Sequence, residues 1–146
     1  MSGTIYVQIA TDDDETPDAD EIVRWADSAL CLHNPEAEMT IRIVGLEEGR
    51  QLNEQWRRGS GPTNVLAFGH ESADVQPQLL GDVVVCAPVA NSEALGDGKN
   101  RDAHWAHLVI HGTLHLLGYD HHDDADAAKM EAVERTLLRE LGYPDL

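Results

Sequence analysis

The feature that most constrains this 146-residue chain is a cluster of histidines in the run HGTLHLLGYDHH, residues 111–122. His111 and His115 are four positions apart, so on an α-helix they lie about 40° apart on one face and can bind the same ion. Gly118 favours the end of that helix, after which the chain can turn back and bring His121 to the same point. Three neutral imidazoles leave one tetrahedral position of a zinc ion for water, which is the pattern of a catalytic site. The motif therefore predicts a metal site at the end of a central helix.

Two further histidines precede this motif on the same predicted helix. His104 and His107 lie seven and four positions before His111, so all of these histidines fall within about 80° of arc. Periodicity leaves open a ligand pair shifted by one turn, His107 and His111. We favour His111 and His115 because they are nearest to the turn that returns His121. His107 is then interpreted as a packing or hydrogen-bonding residue.

Gly112 stands where zinc proteases of the H-E-x-x-H type carry the glutamate that acts as general base. The glycine argues against proteolysis more strongly than against phosphodiester hydrolysis. The sequence leaves the proton acceptor open, with Asp82, Glu71 and the activated water itself as candidates. Asp120 or Asp123 is expected to orient a ligand imidazole by accepting a hydrogen bond from the ring nitrogen that does not bind the metal.

The apolar patterns along the whole chain predict a single α+β domain over residues 1–146. We expect about four strands in a mixed sheet, packed with four to five helices. The expected strands cover residues 4–10, 39–45, 63–69 and 79–88. The expected helices cover residues 19–32, 46–57, a short segment from Pro88, 101–117 and 124–142. The residues expected to face inward on the second and last helices are Leu46, Leu52 and Trp56, and Met130, Val133, Leu137, Leu138 and Leu141.

The charge of the chain is strongly negative, with 10 Lys and Arg against 27 Asp and Glu and a net charge of −17. This balance argues against binding of a polyanion by charge alone, because nucleic-acid affinity depends largely on neutralising phosphates. Residues 40–62 are the exception, with four arginines and three glutamates. This segment allows a local positive surface, or rim, that contains Arg50, Arg57 and Arg58.

Several features favour a cytoplasmic protein. The chain has no run near 18 apolar residues, so no membrane span is expected. Its first residues lack the basic region and the long apolar core of a secretion signal. Cys31 and Cys86 form no C-x-x-C pair, and we interpret both as reduced, buried thiols.

The histidine motif also carries a family resemblance. The pattern H-G-x-L-H-L-x-G-Y-D-H, present from His111 to His121 without a departure, resembles the signature of the YbeY family of bacterial rRNA-maturation endoribonucleases. An upstream block, LNEQWRRGSGPTNVLAFG, resembles the pattern L-N-x-x-[WY]-R-x-x-D-x-P-T-[ND]-V-L-S-F-P of that family. Ser60, Ala67 and Gly69 depart from it, where the family has aspartate, serine and proline. These departures bear on substrate contacts and loop rigidity and leave the predicted zinc ligands untouched.

This resemblance implies that His111, His115 and His121 bind one zinc ion and that Arg57 is a functional arginine. It implies single-strand-specific RNA cleavage in maturation of the 3′ end of small-subunit ribosomal RNA and in ribosome quality control. The implied partners are ribosomal RNA and the small ribosomal subunit, with ribosome-associated proteins as further candidates.

In the resulting hypothesis Arg57 holds the scissile phosphate, since its planar fork of donors suits phosphate oxygens. His111 takes part in catalysis as a ligand of the ion that activates water. Thr63 and Asn64 shape the substrate cleft, with packing and turn capping as their alternative roles. Two other functions stay open: a metallohydrolase acting on another substrate, and a non-enzymatic ribosome-associated factor with a structural zinc.

Overall fold

A computed structural model describes residues 4–12, 15–56, 59, 61, 63–69, 78–120 and 123–143 of the chain. Within these residues, strands and helices first alternate, then two strands follow one another, and three consecutive helices complete the fold. The elements are β1 (Thr4–Ala10), α1 (Ala19–His33), β2 (Glu38–Val44), α2 (Leu46–Trp56), β3 (Val65–Gly69), β4 (Leu79–Cys86), α3 (Ala87–Gly96), α4 (Arg101–Leu116) and α5 (Asp124–Glu140). Each strand and helix expected from the sequence is present, with ends that differ by at most two residues.

The strands form one mixed sheet with the order β1-β2-β4-β3. β1 and β2 run parallel, as do β2 and β4, whereas β3 runs antiparallel to β4. β4 is buried along most of its length, as expected for a strand that is covered on both faces. The predicted α+β class with a four-stranded mixed sheet is confirmed.

The two faces of the sheet contribute to different apolar clusters, because successive residues of a strand point to opposite sides. Val83 and Val85 of β4 face the main core, which also contains the apolar sides of α1, α4 and α5. Val84 and Cys86 face the opposite side, where they join Val44 and a smaller cluster. α2 packs over this second cluster.

The central position of α4 follows from its sequence. Its core side carries Trp105, Val109, Ile110 and Leu114, all 0% exposed. Its N-terminus is capped by the Asn100 side chain, which accepts a hydrogen bond from the backbone of the third helical residue at 3.0 Å. The chain leaves α4 through Gly118 with a φ of +104°, the left-handed conformation that favours glycine. The polar side of α4 is thereby held on a fixed scaffold.

The prediction for the inward side of α2 is wrong for two of its three residues. Leu46 and Trp56 are 52% and 62% exposed, and Leu52 is only partly buried. The residues of α2 that are buried are Gly49 and Asn53. A Cβ at Gly49 would lie 2.9 Å from the Sγ of Cys86, so the helix approaches the sheet at its middle. The large side chains at its two ends lie beyond this contact.

The structure also bears on the expectations about thiols and membranes. Both cysteines are free, and Cys86 is buried, but Cys31 is exposed. The prediction that both thiols are buried is therefore wrong for Cys31, which lies on the side of α1 opposite Trp25 and Ala29. None of the helices in the described ranges is both long enough and apolar enough to cross a membrane.

Candidate active site

The polar side of α4 brings His111 and His115 together. Their Nε2 atoms are 3.2 Å apart, and their rings are nearly perpendicular, with an interplanar angle of 84°. Both side chains are partly exposed. The two nitrogens therefore converge on one point at the surface of the helix, as the spacing of the motif predicts.

The distance between these nitrogens fits two donors to one metal ion. Two imidazole nitrogens bound to a tetrahedral zinc at about 2.0–2.1 Å lie about 3.3–3.4 Å apart, close to the 3.2 Å observed. Among the described residues, no group of three or more His, Cys, Asp or Glu side chains is arranged to hold a metal. His121, the predicted third ligand, lies outside the described residues. The described part of the chain thus contributes a donor pair of suitable geometry.

A carboxylate that the sequence did not single out lies behind His111. Glu134 of α5 places Oε2 2.6 Å from Nδ1 of His111 and Oε1 3.0 Å from Nε2 of His107. The glutamate is only 5% exposed. An aspartate at 120 or 123 was expected to support a ligand imidazole, but for His111 the supporting carboxylate comes from α5. Asp123 instead caps α5 by accepting a hydrogen bond from the backbone of Asp126 at 2.8 Å.

The protonation of Glu134 reflects this environment. Burial raises the pKa of its carboxyl, but hydrogen bonds from His107 and His111, together with their charge, outweigh burial and lower the pKa to about 2. The carboxylate is therefore ionised at neutral pH and can only accept hydrogen bonds from the two imidazoles.

A signal for Glu134 is present in the sequence. Met130, Glu134 and Leu137 follow one another at helical spacing and are all buried, so the glutamate occupies a position typical of an apolar residue. Carboxylates at such positions are rarely buried without a partner. The apolar stripe of α5 is otherwise as predicted for Met130, Leu137 and Leu138, while Val133 and Leu141 are partly buried.

The other two histidines of α4 have partners away from the donor pair. His107 contacts Glu134 as described, which agrees with its interpretation as a hydrogen-bonding residue. His104 is 6% exposed, and its Nε2 lies 2.9 Å from Oε1 of Glu93. The alternative ligand pair, His107 and His111, is disfavoured because each directs a nitrogen at the same carboxylate rather than at a shared point.

A cleft of about 560 Å³ lies beside the donor pair. One wall is the start and middle of β3, and the other is the C-terminal half of α4. Its lining residues include Asn64, Ala67, His111, Gly112, His115 and Asp120. A substrate in this cleft can therefore reach both nitrogens.

Gly112 explains how α4 lies so close to this wall. A Cβ at this position would lie 2.7 Å from Cγ1 of Val83 and 3.4 Å from Cγ2 of Val65. The residue that corresponds to the protease glutamate thus faces the sheet, where a carboxylate has no room. This geometry agrees with the inference against proteolysis.

Asn64 lines the cleft but its side chain is engaged by the protein. Its Nδ2 donates to both carboxylate oxygens of Glu93, at 3.1 and 3.3 Å, and its Oδ1 accepts from the backbone of Val65 at 2.6 Å. Glu93 in turn contacts His104. Thr63, the preceding residue, is partly exposed. The contacts of Asn64 support the packing and capping role for this residue.

One remaining candidate, Asp82, is among the described residues and lies away from the cleft. Asp82 lies on the opposite face of the sheet, in a cavity with Arg42, Trp56 and Phe68, so it is excluded as a base acting directly beside the histidines. Arg57 and Glu71 lie outside the described residues.

A helix packed on a mixed sheet thus directs a pair of histidines into a cleft, an arrangement that suits an enzyme site. Residues 7–142 match the family model described as Endoribonuclease YbeY. The chain is 52% identical over 141 residues to the Endoribonuclease YbeY of Pseudomonas savastanoi pv. phaseolicola, covering 95% of this chain and 84% of that protein. It is 54% identical over 131 residues to that of Stutzerimonas stutzeri, covering 88% and 82%. With the protein of that name from Nitrosococcus oceani it shares 45% identity over 150 residues, covering 99% and 97%.

The chain therefore belongs to the YbeY endoribonuclease family, and it is an enzyme of the nuclease class. The fold is similar to the solution structure of TM1509 from Thermotoga maritima, with a TM-score of 0.64 and 22% sequence identity over 96% of each chain. At that identity the likeness supports the fold alone.

Proposed function

We propose that the protein is a zinc-dependent endoribonuclease that cuts single-stranded RNA, with His111, His115 and His121 as the zinc ligands. The observation that carries the proposal is the 3.2 Å separation of the Nε2 atoms of His111 and His115 beside an open cleft. This separation is close to that of two imidazole donors on one tetrahedral zinc ion. Membership of the family supplies the reaction class.

Each residue of the proposed site has a separate role in the reaction. When bound, a zinc ion would lower the pKa of its water toward about 7 and would supply a Lewis acid for a phosphoryl oxygen. His111 and His115 would provide two of the donors to the ion, and Nδ1 of His111 lies 2.6 Å from Oε2 of Glu134. Arg57 holds the scissile phosphate and stabilises charge that develops on its oxygens. Ala67 contributes a small side chain to the lining of the cleft.

The proposed cellular role is maturation of the 3′ end of small-subunit ribosomal RNA and ribosome quality control, in the cytoplasm. A net charge of −17 disfavours non-specific association with RNA, because few phosphates can be neutralised. Binding to the small ribosomal subunit, or to proteins bound to it, would bring the enzyme to its RNA substrate without attraction between opposite charges. This partner follows from the resemblance of the motifs and from the acidic surface.

The test is cleavage of RNA by His115→Ala and Arg57→Ala variants. We expect both to lose at least tenfold in rate on single-stranded RNA, and little activity of the parent on duplex RNA or on peptides. Arg24→Ala is the matched control, because Arg24 is an exposed arginine of α1 paired with Glu21. If both variants cut as fast as the parent, the mechanism is wrong. Cleavage of peptides with the same dependence on His115 would favour the metallohydrolase of other specificity.

A further inference from the structure

The carboxylate of Glu134 occupies a place where packing alone would favour an apolar side chain. Its neighbours on the buried side of α5 are Met130, Leu137 and Leu138, at 2%, 3% and 2% exposed. Removing an ionised carboxylate from water is unfavourable unless it is paired and hydrogen-bonded. Both oxygens of Glu134 are used, one by His107 and the other by His111. The position of the glutamate is therefore tied to these imidazoles.

His111 is held from two sides. Its Nδ1 lies 2.6 Å from Oε2 of Glu134, and its Nε2 lies 3.2 Å from Nε2 of His115. A carboxylate accepts hydrogen bonds, so the proton of a neutral His111 resides on Nδ1. The lone pair then resides on Nε2, the nitrogen that faces His115.

We infer that Glu134 is a positioning residue that fixes the tautomer and ring orientation of His111 so that Nε2 is ready to bind a metal ion. The inference rests on the proposed function, since it takes His111 as a ligand. It goes beyond the three-histidine motif, because it assigns a role in metal binding to a residue of the last helix. Mutation of a carboxylate that supports a ligand histidine commonly lowers metal affinity or activity by about 10–100-fold.

His107 contributes to this arrangement by orienting the carboxylate. Its Nε2 donates to Oε1 of Glu134 at 3.0 Å, which leaves Oε2 directed at His111. The His107 ring lines a cavity of about 520 Å³ between α4 and α5, together with Met130, Glu131 and Arg135. Its partly exposed position lets it keep this contact without entering the cleft beside β3.

The test uses a Glu134→Met variant, because methionine fits the apolar stripe and cannot accept the hydrogen bonds. Zinc affinity is measured by competition with a chromophoric chelator. The tautomer of His111 is read separately, in the zinc-free protein, from the ¹⁵N shifts of its ring. We expect zinc affinity to fall about 10–100-fold and the Nδ1–H population of His111 to fall as well. Glu131→Met is the matched control, because Glu131 is an exposed glutamate one turn earlier that lines the same cavity; both readouts should stay at their wild-type values.

A Glu134→Gln variant keeps the test decisive if the methionine variant does not fold. Its amide has one oxygen and can accept from only one of the two imidazoles, so zinc affinity should follow the fraction of His111 that retains the Nδ1 proton. A folded methionine variant with wild-type tautomer and wild-type zinc affinity overturns the inference, as does a glutamine variant whose zinc affinity is independent of its Nδ1–H fraction; either result leaves the proposed function intact. If the wild-type protein itself binds no zinc, the proposed function fails, and the tautomer in the zinc-free protein still decides whether Glu134 positions His111.

Discussion

Gly112 and Val83 approach so closely that a single methyl group would not fit between them. A Cβ built on Gly112 lies 2.7 Å from Cγ1 and 3.1 Å from Cγ2 of Val83, and Val83 is 0% exposed at the centre of the sheet. This contact sets the distance between α4 and β4. It also determines how the histidines of α4 stand relative to the cleft beside β3.

The first prediction is that Gly112→Ala destabilises the protein despite the higher helix propensity of alanine. Propensity alone would stabilise by about 0.8–1.0 kcal/mol, but overpacking against a buried valine costs about 1–3 kcal/mol. We expect a net loss of up to about 2 kcal/mol in the free energy of unfolding, measured in urea. Gly96→Ala is the control, since a Cβ there meets nothing within 4 Å, and it should be neutral or stabilising. Equal stabilisation by both substitutions would contradict the close contact.

The second prediction concerns the hydrogen bonds between Asn64 and Glu93. Because they join a side chain at the start of β3 to α3 and are partly shielded, a double-mutant cycle with alanine should give a coupling free energy of about 1 kcal/mol. The exposed pair Glu21 and Arg24 serves as the reference and should give about 0.3 kcal/mol. A coupling for Asn64 and Glu93 no larger than this reference would show that the pair does not hold the cleft wall.

The third prediction is a difference in reactivity between the two thiols. Burial raises the pKa of Cys86, and the thiol contacts the backbone oxygen of Gly45 at 3.6 Å. Cys31 is exposed, although partial burial and Asp27 raise the pKa of its thiol as well. A disulfide reagent at pH 8 should modify one thiol quickly in the native protein and the second only on unfolding. Cys31→Ser should remove the fast phase, and a fast phase that survives this substitution would place the reactive thiol at Cys86.

The fourth prediction is that removal of metal leaves the protein folded. The core side of α4 is held by Trp105, Ile110 and Leu114, which are 0% exposed, so the helix does not depend on a metal ion at its end. Treatment with a chelator should leave the circular dichroism at 25 °C unchanged and lower the midpoint of thermal unfolding, because a bound ion stabilises only the native state. Loss of helical signal at 25 °C would instead favour the structural-zinc alternative.

The sequence was most informative where local spacing determines the structure. The helical period alone predicts that His111 and His115 share a face, and Gly118 marks the end of α4. By contrast, Glu134 meets His111 across 23 positions of the chain, and that contact depends on how α5 packs against α4. Only the unusual presence of a glutamate in an apolar stripe hints at it.

Other errors arose where packing between elements overrides a local pattern. Leu46 and Trp56 have the spacing of buried residues, but Gly49 lets the middle of α2 approach the sheet and leaves both ends exposed. Asp82 is one of the proton acceptors that the sequence leaves open. Successive residues of β4 point to opposite faces of the sheet. Val83 faces α4, so its neighbour Asp82 lies on the other face.

The central claim is tested most directly by titrating metal-stripped protein with zinc while measuring the rate of cleavage of a single-stranded RNA. We expect negligible cleavage without metal and a rate that rises in proportion to bound zinc until one ion is bound per chain. His115→Ala should bind zinc weakly and should not reach the wild-type rate at saturation. Cleavage by the metal-stripped protein at the wild-type rate, unchanged by added zinc, would contradict the account.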